Sequence, residues 1–164
     1  MTLEEAAARA EELAEAGDAR GLAELRAEWD DEVEGLARSR DFRERAQAYR
    51  ALGSFRYRQK LELLRRGLED ESPACRGVAL VSLERLSRDG PAPVNAARAR
   101  LHELVTHDPN EAVRRLAALC LKNGSPQRDT ILILESLGRD DEQPRDLRQS
   151  AAKVAELLRR KSRA

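Results

Sequence analysis

Three kinds of residue in this chain could do chemistry: two histidines beside acids, two cysteines, and a dense run of arginines. His102-Glu103 and His107-Asp108 each pair an imidazole with a carboxylate. The two histidines are five positions apart, about 140° around an ideal helix, so their rings do not converge. Iron or zinc needs several convergent ligands. No metal and no cofactor is therefore expected. His102 is expected on a helix surface and His107 at a helix C-terminus, where the dipole favours it.

Cys75 and Cys120 fall where other parts of the sequence carry apolar residues. Each reads as a small buried hydrophobe rather than a nucleophile, which would need a positioned base. There is no Gly-rich phosphate loop and no nucleophile elbow. Trp29-Asp30-Asp31 places an acid beside an aromatic, as base-extruding enzymes do, but only 3% of the chain is aromatic and such chemistry needs a stacking pocket. Trp29 is expected to pack at the end of the N-terminal helical segment. No catalytic residue emerges, and the chain reads as a non-enzyme.

The arginine run carries more. Residues 36–66 hold ten bases against three acids, whereas residues 1–35 hold twelve acids against three bases. Arg56, Arg58, Lys60 and Arg65 are the candidate contacts to phosphate or a partner, interleaved with Phe55 and Tyr57. Such a surface binds phosphates while its aromatics stack on bases. Against it, Phe42, Ala46 and Tyr49 share a helical face, as do Tyr57, Leu61, Leu64 and Leu68, and both faces read as core. Arg58 and Arg66 also flank Glu62 at one helical turn, which neutralises charge locally. A solvated face beside an acidic segment is the simpler reading.

The elements that position these residues are helices. Leu, Ala, Glu and Arg lose little side-chain freedom in a helix, and no window alternates as a strand would. Glycines at 17, 53, 67, 90, 124 and 138 mark helix ends, and prolines at 73, 91, 93, 109, 126 and 144 mark helix starts. Thr2 and Glu5 make a capping box. The punctuation predicts helices near 3–16, 19–37, 41–52, 54–68, 73–88, 93–106, 110–122, 127–138 and 144–160, with a break near Trp29 left open. Short loops make neighbours antiparallel. The longest apolar run, Ile131 to Leu134, is far too short to span a bilayer, and the acidic N-terminus lacks the basic start of a signal peptide. A cytoplasmic protein without a disulfide framework is expected.

Self-similarity is the strongest signal. Cys75-Arg76-Gly77-Val78-Ala79 aligns with Val113-Arg114-Arg115-Leu116-Ala117, with Leu147-Arg148-Gln149-Ser150-Ala151, and more loosely with Phe42-Arg43-Glu44-Arg45-Ala46. An acid stands six residues before the arginine in three copies, at Asp70, Asp108 and Glu142; Ala37 fills that place in the first. The spacing is that of helical-pair repeats.

This pattern resembles the HEAT repeat family, in its short bacterial form, over roughly residues 38–160. The resemblance implies an all-α fold: a right-handed α-α superhelix, or HEAT/armadillo-like solenoid, of about four helical-pair units. It also implies that Asp70, Arg76, Asp108, Arg114 and Arg148 link neighbouring repeats as a structural ladder. Glu142 would be a longer substitute, and Arg43 would lack an acid. Residues 1–37 do not follow the pattern and read as an acidic helical cap on a single repeat domain, 38–164. Leu147, Ala151, Val154 and Leu158 form the apolar stripe of a last helix that could close the stack or form a homodimer seam; a monomer is the other possibility.

What the resemblance implies for function is a non-catalytic scaffold or adaptor subunit binding another protein. The alternative is a nucleic-acid-binding helical repeat using residues 38–66. A third reading, a component of a HEAT-like lyase or hydroxylase, rests on fold analogy alone. The HEAT-like hydroxylases use several His-Glu pairs, and only His102-Glu103 is of that kind here.

Overall fold

The computed structural model describes the whole chain, Met1–Ala164. It is all-α: α1 (Leu3–Glu15), α2 (Ala19–Ala37), α3 (Phe42–Ser54), a single 3-10 turn (Arg58–Lys60), α4 (Leu61–Leu68), α5 (Pro73–Leu86), α6 (Ala92–His107), α7 (Glu111–Leu121), α8 (Arg128–Arg139) and α9 (Arg145–Arg163). Two compact units result, Met1–Ser82 and Leu83–Ala164, with the division inside α5.

In the first unit α1 opens on the expected capping box. Thr2 Oγ1 accepts from the Glu5 amide at 3.1 Å, and Glu5 Oε2 accepts from the Thr2 amide at 2.8 Å. Gly17, at φ 72°, ends α1, and the Asp18 amide reaches back to the Leu13 carbonyl at 2.9 Å. Asp18 then caps α2 through the Gly21 amide. The stretch around Trp29 does not break: α2 is one helix, with Leu22, Trp29, Val33 and Ala37 buried along it. Trp29 is buried midway along α2 rather than at the end of the segment, and its Nε1 finds no hydrogen-bond acceptor.

The main departure from the sequence reading lies between α3 and α4. A stop at Gly53 and a helix over 54–68 were expected. Instead α3 continues through Gly53 to Ser54, and the chain turns at Arg56, the one non-glycine residue with positive φ (57°). The Arg56 amide donates to the Gly53 carbonyl and the Tyr57 amide to the Leu52 carbonyl, which closes the helix in a Schellman motif. Burial drives this turn. Phe55 is fully buried and Tyr57 nearly so, with their rings 5.5 Å apart. Burying two aromatics contributes several kcal/mol, which outweighs a cost of about 1–2 kcal/mol for a left-handed non-glycine residue.

Gly53 itself serves close approach. A Cβ there would lie 2.7 Å from Ser82 Oγ, so α3 and α5 touch through this glycine. Gly67 and Gly138, also expected as stops, likewise sit inside helices, against Ala79 and Ala152 respectively. In the second unit α6 packs on α7 and α8, and α9 packs on α7 and α8. The stripe Leu147, Ala151, Val154 and Leu158 is buried on α9 as its spacing requires.

Candidate functional site

Lys60 and Arg56 of the basic segment reach back to the acidic helices, while Arg40, Arg43, Arg50 and Arg66 are exposed. Lys60 lies 2.7 Å from Asp30 and 2.8 Å from Glu34, both on α2. Arg56 donates to the Gly53 carbonyl at 2.7 Å and to Glu11 of α1 at 3.3 Å. Arg65 pairs with Glu62, and Arg58 is exposed but also engaged. Glu62, expected between Arg58 and Arg66, takes Arg65 instead. From α2, Arg26 donates to the Phe55 carbonyl, while the Tyr57 hydroxyl donates to the Arg26 carbonyl. Burial, with Asp30 nearby, pushes the Tyr57 phenol up to about 12. Arg38, Arg56 and Lys60 thus find counter-ions in the acidic segment, and α1 and α2 pack on each other and on α3.

What this packing leaves open is a groove between α1 and α3. Its volume is about 460 Å³. Leu3, Ala7 and Ala8 supply one wall, and Phe42, Ala46 and Ser54 the other. Phe42 was expected in the core; it is 45% exposed, because it is the first residue of α3 and projects past the N-terminal end of the packed face. The Arg43 guanidinium lies 5.8 Å from the centre of its ring. Glu4 and Glu11 edge the groove on α1, and Arg43, Gln47 and Arg50 edge it on α3. No sequence signal singled out this groove, since its floor is made of alanines.

The repeat arginines fall into one register. Arg45, Arg76, Arg114 and Arg148 are each the fourth residue of their helix, and each amide donates to the carbonyl of the residue just before the helix. The first-copy arginine is therefore Arg45; Arg43, two residues earlier, is exposed. Arg45 Nη1 donates to the carbonyls of Ser39 and Arg40, six and five residues back. Arg76 Nη1 does the same to Asp70 and Glu71. Arg45 also grips the Asp70 carboxylate with two nitrogens, at 2.8 and 3.1 Å. That carboxylate holds the Arg45 guanidinium above its usual range.

The acids share a register as well. Asp70, Asp108 and Asp140 each accept the amide two residues on, from Ser72, Asn110 and Glu142. Asp140 rather than Glu142 holds this place: Glu142 is exposed and contributes its amide, while Asp140 lies in the field of Arg114 and Arg148. Arg114 itself donates to the Val105 carbonyl at 3.0 Å. Arg148 lies 3.7 Å from Asp141, and its Nε is buried without an acceptor. Counting four residues from each helix cap, rather than matching apolar-Arg strings, would have found Arg45.

Residues 31–103 match the family model described as HEAT repeats. Residues 31–103 therefore carry HEAT-like repeats. The match spans Arg45, Asp70 and Arg76, and the all-helical architecture is consistent with an α-solenoid. A comparison with curated proteins returns no match.

The histidines and cysteines are placed apart. His102 is half-buried, not on the surface: its Nε2 lies 2.8 Å from Thr130 Oγ1 of α8, beside Arg98. Burial, and then Arg98, hold its imidazole below the ordinary value. Arg98 is buried, and its Nη1 donates to the same hydroxyl at 2.9 Å. His107 is exposed at the end of α6. Cys75 and Cys120 are both free and buried, and Cys75 Sγ donates to the Phe42 carbonyl. Burial pushes both thiols up. No three His, Cys, Asp or Glu side chains gather as a metal site, and no helix is long and apolar enough to cross a membrane.

Proposed function

We propose that this HEAT-like protein is a non-catalytic interaction module that binds another protein through the groove between α1 and α3. One observation supports the reading above all: Phe42 stands 45% exposed in a groove with a mainly apolar lining. Aromatic and arginine side chains around an apolar centre are what protein interfaces favour. A small-molecule site would instead bring polar groups inward. The nucleic-acid reading is less favoured, because Arg56, Lys60 and Arg65 already have carboxylate partners.

The test compares proteins retained from a nuclease-treated lysate by the unaltered chain, by Ala46→Glu and by Ala8→Glu. Both substitutions put a charge into the groove, from opposite walls. Loss of the same partner with both, at unchanged helical circular dichroism, supports the reading. Retention of every partner by both variants, or release of all of them by nuclease, overturns it.

A further inference from the structure

The charges on the groove's edges are arranged more specifically than an apolar slot requires. Glu4 and Glu11 lie seven residues apart on α1, so they stand on one face, separated by about 10 Å. Arg43 and Arg50 have the same separation on α3. Glu11, in the last part of α1, bonds Arg56, which lies just past the end of α3. The two helices therefore run parallel, with Glu4 on one edge of the groove and Arg43 and Arg50 on the other. Glu4 and Arg50 are exposed and have no ion pair, and Arg43 contacts only the ring of Phe42.

We propose that the groove takes a single amphipathic helix of a partner protein, with acids along one flank and bases along the other. This rests on the interaction reading above and specifies its partner. An apolar stripe on that helix would lie on Ala7, Ala8 and Ala46, which have no bulk to hold another helix away. Phe42 closes one end as an anchor. Acids of the partner, two helical turns apart, meet Arg43 and Arg50; a base on its opposite flank meets Glu4. Apolar stripes with charged flanks are how helices commonly seat in grooves. A helix with like charge on both flanks meets repulsion along one edge, so the edges select the partner as well as attract it. Turning the helix end for end exchanges its flanks, so the charge pattern also fixes its direction.

The probes are three designed peptides of about five helical turns with a common Leu/Ala stripe. One carries Glu and Lys on opposite flanks, one Glu on both, and one Lys on both. Anisotropy titration of the full chain should show the mixed peptide binding about ten-fold or more tighter than either other. The double variant Arg43→Glu/Arg50→Glu, which breaks no ion pair, should reverse the order in favour of the all-Lys peptide. Equal affinity for all three peptides, or an order unchanged by the double variant, overturns the proposal. If the lysate partner is still lost with Ala46→Glu and Ala8→Glu, protein binding stands and only the helical partner falls.

Discussion

Arg45 and Asp70, 25 residues apart in sequence, meet as a two-pronged ion pair whose side chains are only 12% and 6% exposed. The same guanidinium also donates to two loop carbonyls, so one side chain ties the start of α3 to the loop after α4. Arg45→Ala should destabilise the protein by about 3 kcal/mol, because it strands a buried carboxylate. Chemical denaturation of the two proteins measures this directly; a loss under about 0.5 kcal/mol, ordinary for a surface pair, would show that the contact is decorative.

The same pair sets an acid limit. Burial alone would raise the Asp70 carboxyl, but the bonds from Arg45 and the Ser72 amide outweigh it and hold the group below its ordinary value. With the folded-state value depressed, the stabilisation is complete above the unfolded value and fades as pH falls through the folded one. Arg45→Gln should therefore flatten the decline in stability below about pH 4, where an unperturbed Asp titrates. Parallel acid slopes in the two proteins would contradict the assignment.

His102 should act in a different window. Its folded-state value is depressed by burial and Arg98, with only Asp129 opposing. The unfolded chain then binds the proton more readily, so stability is full above about pH 6.5 and falls as pH drops towards the folded value. Replacing His102 with Gln, which can still meet Thr130, should remove this step from a plot of melting temperature against pH. A step that persists would have another origin.

Replacing Arg56, Arg58 and Lys60 together by Gln distinguishes a structural from a nucleic-acid role. The expected result is a lower melting temperature, since Arg56 and Lys60 hold α1 and α2 in place. The unaltered chain is expected to show no tight binding of a mixed-sequence oligonucleotide at physiological salt. Sub-micromolar binding that weakens steeply with salt and disappears in the triple variant would revive the nucleic-acid reading.

Two glycines predict opposite signs. Gly53→Ala forces a Cβ to 2.7 Å from Ser82 Oγ and 3.1 Å from its Cα, and should cost about 1–3 kcal/mol despite the better helix former. Gly35→Ala on α2 meets nothing within 4 Å and should stabilise by up to about 1 kcal/mol. Thermal melts of the pair decide it.

The glycines also mark how far the sequence could be read. Helix existence, the capping box at Thr2 and the α9 stripe were legible, because periodicity and caps are local signals. Whether a glycine ends a helix or lets another helix approach is not local: Gly17 does the first, and Gly53, Gly67 and Gly138 do the second. The turn at Arg56 was hidden for a related reason, since tertiary burial of Phe55 and Tyr57 overrides an arginine's dislike of positive φ. At the candidate site the charges were visible and their partners were not. A net charge per segment cannot show that Lys60 lies between Asp30 and Glu34. The groove was hidden further, because alanines on a helix look alike whether covered or open.

The order of the two charged segments along the chain has a bearing on synthesis. Ribosomes release the N-terminus first. The acids at Glu11, Asp30 and Glu34 are therefore already outside when Arg56 and Lys60 emerge, 45 and 26 residues behind the side chains they bind. Each of these bases therefore emerges with its counter-ion already tethered to the same chain, at an effective concentration set by a short length of peptide.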